Sequence, residues 1–243
     1  MLDPASSMPK ISVVTICRNS ASTLERTIKS VLAQTYPNLE YIVVDGGSTD
    51  GTLDIIARYR DRITTVISEP DRGVYDAMNK GIALASGEWI HLLNSDDHYM
   101  QCDVLAEVAP RLLPGKTNYC VLMREYDGVI GDACRFPYQG WKLYVSAKLP
   151  HPAMIVSRDQ YNAVGRYDAG LRIAADHDFI LRMLAQYPAH FIDIPLVAMD
   201  QGGLSANNLE LTYREFMHVT IRHGLPSILA WGIYWLKRLR WGV

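Results

Sequence analysis

The chain has 243 residues, 49% of them hydrophobic and 21% charged, with a formal net charge of −2. That length suits one large α/β domain with an extension, and the near-neutral balance, without a basic stripe, argues against nucleic acid as a partner. Cys17, Cys102, Cys120 and Cys134 lie far apart with no C-x-x-C pair, which argues against a structural zinc site or disulfide framework and for a reducing, cytoplasmic setting. Residues 1–9 hold no apolar stretch, so they are expected to be disordered and to carry no secretory signal.

Ile11 to Ile16 is β-branched and apolar, the mark of a central strand. Ser22 and Glu25 have the spacing of a capping box, and Leu24, Ile28, Val31 and Leu32 then repeat as one face of a helix. Leu39 to Val44 reads as a second strand ending at Asp45, followed by the tight loop Gly46 to Gly51 and a helix over Thr52 to Tyr59. Ile63 to Ile67 is a third strand, Val74 to Ala85 a helix, and Glu88 to Leu93 a fourth strand. Strands alternating with helices at this spacing predict crossovers and a mostly parallel sheet.

Beyond Asp97 the pattern changes. Tyr119 to Glu125 and Val129 to Cys134 flank Asp127-Gly128, a hairpin signal. Ala153 to Ser157 and Phe191 to Ile194 read as short strands, with helices over Arg158 to Val164 and Asp176 to Gln186. A nucleotide-type half (10–98) is thus followed by a mixed half (99–205) and a helical extension (206–243).

Polar clusters fall at the carboxyl ends of predicted parallel strands: Thr15 to Asn19, Asp45 to Ser48, and Asn94 to Asp97. Such ends share one crevice, where open α/β sheets bind ligands. The adjacent carboxylates Asp96 and Asp97 repel unless something positive lies between them, and a divalent cation carrying a phosphorylated ligand meets that need. An acidic turn before a helix near Asp103 is the plain alternative. Asp76, Asn79 and Lys80 share one helix face, solvated or turned to a ligand. Asp176-His177-Asp178 opens an apolar helix, where acids either cap the helix or supply a general base. His151, before Pro152, is either a loop histidine or a ligand to metal or acceptor. No G-x-G-x-x-G follows the first strand and no P-loop occurs.

In this order the segments resemble family 2 glycosyltransferases, the large inverting family that uses nucleotide sugars. The resemblance is carried by ISVVTICRNSASTLERTIKSVLAQTYPNLEYIVVDGGSTDGT, by SEPDRGVYDAMNKGIALASGEWIHLLNSDD, and by LPHPAMIVSRDQYNAVGRYDAGLRIAADHDFILRM, which resembles the bacterial polysaccharide branch. It runs from about Lys10 to Pro195. It implies a GT-A fold, a Rossmann-like sheet merged with an acceptor region. It also implies a donor set of Thr15, Asn19, Asp45, Ser48, Asp71, Asn79, Lys80 and Asp96. Asp97, with Asp96, would ligate Mn²⁺ or Mg²⁺, and Asp176 would be the base; His151 and His177 fall on the acceptor side. The family's Glu-Asp base motif falls on Ala175-Asp176, so the usual supporting Glu is absent. Cys17-Arg18-Asn19 stands where Tyr-Asn is common. The implied reaction moves a sugar, from UDP in the first instance, to a glycan or lipid-linked glycan of the bacterial surface or exopolysaccharide.

Two other classes share parts of this pattern. A sugar-phosphate nucleotidyltransferase has a related sheet but a Gly-rich basic loop after its first strand, which Cys17 to Ser20 lacks. A non-catalytic nucleotide-sugar binding module would keep the donor residues without a working base.

Leu225 to Leu236 is apolar on nearly every face and is followed by Lys237, Arg238 and Arg240, with Trp231, Trp235 and Trp241 nearby. It is shorter than the roughly 20 residues of a membrane span. Aromatic and basic residues together suit an interfacial helix on anionic lipid, which would make the protein peripheral on the inner face of the membrane. Packing on the catalytic domain, or on a second copy in a homodimer, is the other outlet for such a face.

Overall fold

The computed structural model describes residues 8–135, 140, 143, 149–200 and 208–241, the last without the side chains of residues 237, 240 and 241. Most of the predicted disordered start, the predicted domain boundary near residue 205, and the side chains of Lys237, Arg240 and Trp241 lie outside the described residues.

The first half follows the predicted alternation: β1 (Ile11–Cys17), α1 (Leu24–Leu32), β2 (Leu39–Asp45), α2 (Thr52–Arg58), β3 (Thr65–Ser68), α3 (Val74–Leu84) and β4 (Trp89–Asn94). The second half contains β5 (His98–Tyr99), α4 (Val104–Val108), β6 (Thr117–Tyr126), β7 (Val129–Cys134), β8 (Met154–Ser157), α5 (Arg158–Val164), α6 (Ala175–Gln186), β9 (Ala189–Asp200), α7 (Leu209–Arg222) and α8 (Ser227–Trp241). These strands make one sheet in the order β3-β2-β1-β4-β8-β6-β9-β5, with β7 paired to β6.

β1 to β4 are mutually parallel where they pair, and β8 enters antiparallel to β4. The register sets Cys17 opposite Asp45, Asp45 opposite Ser68, and Ile16 opposite Asn94, so the polar clusters finish level with one another. The chain leaves β1 for β2 on one side, while β4 lies on the other. That reversal of strand order opens a crevice at the carboxyl ends of β1 and β4.

Both faces of the sheet are covered, which explains the near-continuous apolar strands. Val13, Tyr41, Val43 and Leu93 join a core with Leu24 and Ile28 of α1, and with Ile55 and Ile56 of α2. Val14, Ile42, Val44 and Leu92 join the opposite core with Met78 of α3 and with Phe179 and Ile180 of α6. Neighbouring residues of one strand thus serve opposite cores, as the two-residue period of a strand requires. Each fully buried Val, Leu, Ile or Phe contributes about 1.5–3 kcal/mol. Close packing of α3 on the sheet depends on Gly81, where a Cβ would lie 2.2 Å from Val14 Cγ1.

Several expectations change on folding. Ser22 and Glu25 form no capping box: Thr23 occupies the N-cap of α1 without a side-chain bond, and Glu25 binds Tyr59 and Lys29 instead. The capping box that forms is Ser157 with Gln160, at the start of α5. β3 begins at Thr65, after the 3-10 turn Arg60–Arg62. The strand expected over Phe191 to Ile194 is the middle of the twelve-residue β9. Its pairing with β6 shifts register beside Pro195, whose missing N–H interrupts a ladder and hides a long strand from pattern reading. Asp127 and Gly128 both have positive φ, 48° and 80°, as the tight β6–β7 turn demands. α7 and α8 both fall within the helical extension expected over 206–243.

Candidate active site

A cavity of about 680 Å³ opens at the β1/β4 crevice, a size in the usual range for small-molecule sites. Its lining draws Cys17 and Arg18 from the end of β1, Asp71 and Tyr75 around the start of α3, and Asn94 to Asp97 after β4. The second half supplies Arg124 of β6, His151, Asp176 and His177, and α7 supplies Thr212 and Phe216.

The acidic turn is held from behind. Asn94 Nδ2 donates to Asp97 Oδ2 at 3.0 Å. The Thr27 hydroxyl donates to the carbonyls of Ser95 and Asp97, at 3.0 and 2.7 Å. Arg26 donates to the Asp96 carbonyl at 3.1 Å and is itself paired with buried Glu125 at 2.5 Å. Asp97 is fully buried, and its Oδ1 has no hydrogen-bond partner among the described residues. Burial, then the neighbouring Asp96, push the Asp97 carboxyl well above its ordinary range; burial also raises Asp96. A buried carboxylate oxygen without a partner is costly unless a ligand satisfies it.

These oxygens fit a divalent metal in a restricted way. Carboxylates suit Mg²⁺ or Mn²⁺. No group of three or more His, Cys, Asp or Glu with metal-holding geometry occurs among the described residues. Mg²⁺ commonly takes only one or two carboxylates, with substrate phosphates and water completing its shell. Asp96 and Asp97 match that pattern and not an all-protein cage.

Asp176 lies in the first turn of α6, half-buried at the cavity wall. Burial raises its pKa to about 6, against bonds from the His177 backbone N–H (2.7 Å) and the Tyr75 hydroxyl (3.3 Å) that favour the carboxylate. The nearby acid Asp178 has a different setting: it is buried against Arg182 at 2.8 Å and His223 at 3.0 Å. The structure therefore separates two acids that the sequence placed together. His151 lines the cavity beside Tyr167, at 2.6 Å, and burial lowers its pKa to about 4, leaving it neutral at pH 7. His177 stacks on Phe216 with ring centres 4.3 Å apart.

Among the residues expected to hold the donor, Asp71 and Asp96 line the cavity, and the others do not. Thr15 is fully buried and accepts from Tyr41. Asp45 is also fully buried; it accepts from Ser68 at 2.6 Å, from the Ser48 hydroxyl, and from the N–H groups of Gly47 and Ser48. Burial would raise its pKa, but those bonds together lower it. Ser48 in turn accepts from the Asn19 N–H at 2.8 Å, and Asn19 accepts from Thr49 at 2.9 Å. These groups knit the β1 and β2 loops together beneath the crevice. Asn79 exchanges two bonds with the Tyr167 backbone, and Lys80 binds Glu69 and the Pro70 carbonyl, fixing the loop that carries Asp71. Asp71 sits so close to the β2 loop that a Cβ on Gly46 would lie 2.0 Å from its Oδ2.

Beside Arg18, which belongs to the Thr15 to Asn19 cluster, the cavity gathers Arg124 and Arg172, which sequence reasoning did not assign to it. The three come from distant segments, and no local pattern marks them as a set.

Comparison with known proteins bears on the family and the fold. The model of "Glycosyl transferase family 2" matches residues 12–149. A PGL/p-HBAD biosynthesis glycosyltransferase of Mycobacterium bovis is 29% identical over 240 residues, covering 94% of this chain and 92% of its own. Staphylococcus aureus TarS 1–349 in complex with UDP-GlcNAc superposes with a TM-score of 0.67 at 19% identity, over 93% of this chain and 70% of that one. This chain spans only 42% of a longer TarS structure. A mannosyltransferase from Pyrobaculum calidifontis, in complex with GDP-Man and Mn²⁺, gives a TM-score of 0.62 at 17% identity, over 98% of this chain and 77% of that one. The fold is GT-A, and the chain belongs to glycosyl transferase family 2.

Proposed function

We propose that this enzyme transfers a sugar, with inversion, from a UDP-linked donor to a hydroxyl of a bacterial cell-surface glycan or lipid-linked glycan. One observation carries the reading. Asp97, a buried carboxylate with one oxygen unpartnered among the described residues, and Asp176, a carboxyl poised near neutrality, border the same cavity. Asp96 and Asp97 would hold Mn²⁺ or Mg²⁺, which when bound neutralises charge developing on the departing diphosphate. Arg18, Arg124 and Arg172 add fixed positive charge to the cavity wall. Asp71 and Asp96 face the donor, while the Asn19, Asp45 and Ser48 network keeps their loops in place. Asp176 accepts the proton of the acceptor hydroxyl, which is a poor nucleophile until it begins to lose it. Neutral His151 and the ring of His177 lie on the acceptor side. Membership of the family sets aside the nucleotidyltransferase reading, and TarS with UDP-GlcNAc supports a UDP-linked donor.

A thermal-shift panel of UDP-glucose, UDP-galactose, UDP-GlcNAc and GDP-mannose, with and without Mn²⁺, tests this. At a hundred times its Kd a true donor stabilises the fold by about 2.7 kcal/mol, a Tm rise of about 5–10 °C. The rise is expected with Mn²⁺ and is largely lost in EDTA. The same Tm with every member, metal or not, would reject the reading.

The proposal extends to location. On α8, Ala230 and Tyr234 pack against Met217 of α7, while Ile228, Trp235, Leu236 and Leu239 stand exposed, Leu239 by 79%. No helix among the described residues is long and apolar enough to cross a membrane. Arg238 lies over the Trp235 ring at 5.4 Å, giving the apolar face a basic edge suited to anionic lipid. Exchanging Ile228, Leu236 and Leu239 for Gln is expected to weaken co-sedimentation with phosphatidylserine vesicles about a thousandfold, at roughly 1.5 kcal/mol per side chain. Undiminished sedimentation, with a dimer converted to monomer in gel filtration, would identify the face as a homodimer contact instead.

A further inference from the structure

α7 lies beyond the family match, yet it reaches the cavity wall with Thr212 and Phe216. Glu215, between them and 9% exposed, aims its carboxylate at the backbone just before α6. Oε1 accepts from the Arg172 N–H at 3.0 Å, while Oε2 accepts from Arg172 at 3.1, Ile173 at 2.8 and Ala174 at 3.1 Å. Ala174 is the N-cap of α6, and its own side chain caps nothing. Glu215 therefore supplies from another helix the acceptor that an N-cap residue normally provides, and it does so with a full negative charge. On the opposite side, the Tyr75 hydroxyl bonds both the Ile173 carbonyl and Asp176 Oδ1. The segment from Arg172 to Asp176 is thus clamped through its N–H groups by α7 and through a carbonyl by α3. The adjacent ring stack of Phe216 on His177 adds a second tie from α7 to the first turn of α6.

We propose that Glu215 is a positioning residue for Asp176, and that α7 is part of the catalytic centre, not only a link to α8. Position 175, next to the base, is an alanine with no polar group to offer. The carboxylate of Glu215 takes over that support from forty residues further along the chain. This rests on the reading of Asp176 as the base.

The test compares Glu215→Ala, Glu215→Gln and Asp176→Asn in the full chain. It uses the panel donor with the largest thermal shift and the nucleoside diphosphate of that donor, with Mn²⁺. Donor turnover, Kd for the nucleoside diphosphate, and hydrogen exchange of residues 172–178 are measured. Glu215→Ala is expected to lower kcat about a hundredfold and to speed exchange of that segment at least about tenfold, with Kd unchanged within about twofold. Glu215→Gln, which keeps one acceptor oxygen, is expected to fall between Ala and wild type. Wild-type kcat in folded Glu215→Ala, or a kcat loss with unaltered exchange, overturns the inference. So does an equal loss of kcat and affinity. If Glu215→Ala does not fold, Glu215→Gln is judged by the same criteria, and failure of both to fold assigns Glu215 to folding alone and overturns it. Wild-type turnover in Asp176→Asn removes the reading of the base itself, whatever Glu215 does.

Discussion

Replacing Asp176 with Asn lowers kcat for sugar transfer by about three orders of magnitude, the expected share of a positioned general base, and leaves nucleotide affinity unchanged. The substitution is nearly isosteric. The Asn oxygen still accepts from the His177 N–H and the Tyr75 hydroxyl, so the start of α6 keeps its bonds. What disappears is the ability to take a proton. The pH profile gives a second readout. Only the carboxylate form is a base, and burial places its pKa at about 6. Activity therefore rises with pH through about 6 and levels off above it. Asp96 and Asp97 are also raised, but their ionisation is linked to metal, so a limb due to them moves with Mn²⁺ concentration. A limb that stays near pH 6 at every Mn²⁺ concentration belongs to Asp176. Turnover of Asp176→Asn within tenfold of wild type would assign the proton to another group. Asp178→Asn is the control: it weakens the contacts with Arg182 and His223 and costs stability, with kcat preserved.

The second large effect is at Asp97, where function and stability are expected to move in opposite directions. The folded protein holds this carboxyl well above its unfolded pKa, because ionising it buries a charge beside Asp96. For a group shifted in that direction the native state binds the proton more tightly than the unfolded state does. The contribution of Asp97 to metal-free stability is therefore greatest at low pH and is lost as pH rises above the ordinary carboxylate range, near 3.9. Asp97→Asn removes that slope and still lets Asn94 donate to a side-chain oxygen. In EDTA at pH 8 the variant is expected to be at least as stable as wild type by urea denaturation. With Mn²⁺ and donor the order reverses: wild type gains several degrees of Tm and the variant gains almost nothing, with transfer lost. A Mn²⁺-dependent shift that survives Asp97→Asn would place the metal elsewhere. Such a trade-off is common where an active site keeps an unsatisfied group for its ligand.

These two residues also show how far the chain could be read before folding. Asp97 and Asp176 stood out because each sits where a periodic segment ends or begins, and order along the chain linked them. The capping expectation at Ser22 failed for a tertiary reason: Glu25 finds Tyr59 and Lys29, and those partners outweigh the local box. Of the expected donor residues, Asn19, Asp45, Ser48 and Lys80 use polar atoms to tie loops together, Thr15 bonds Tyr41 across β1 and β2, and Asn79 ties α3 to the Tyr167 backbone. Sequence position says that a group is near a site; only geometry says which way it points and what it already binds.

The amino-acid sequence by itself determined the elements of the nucleotide half and the meeting of their polar ends. Those features follow from periodicity of two in strands and 3.6 in helices, which each segment carries within itself. The tertiary structure alone decided that Asp178 is taken up by Arg182 and His223, which arginines converge on the cavity, and that Glu215 braces the start of α6. Those features depend on contacts between segments far apart in the chain, and such contacts leave no period behind to be read.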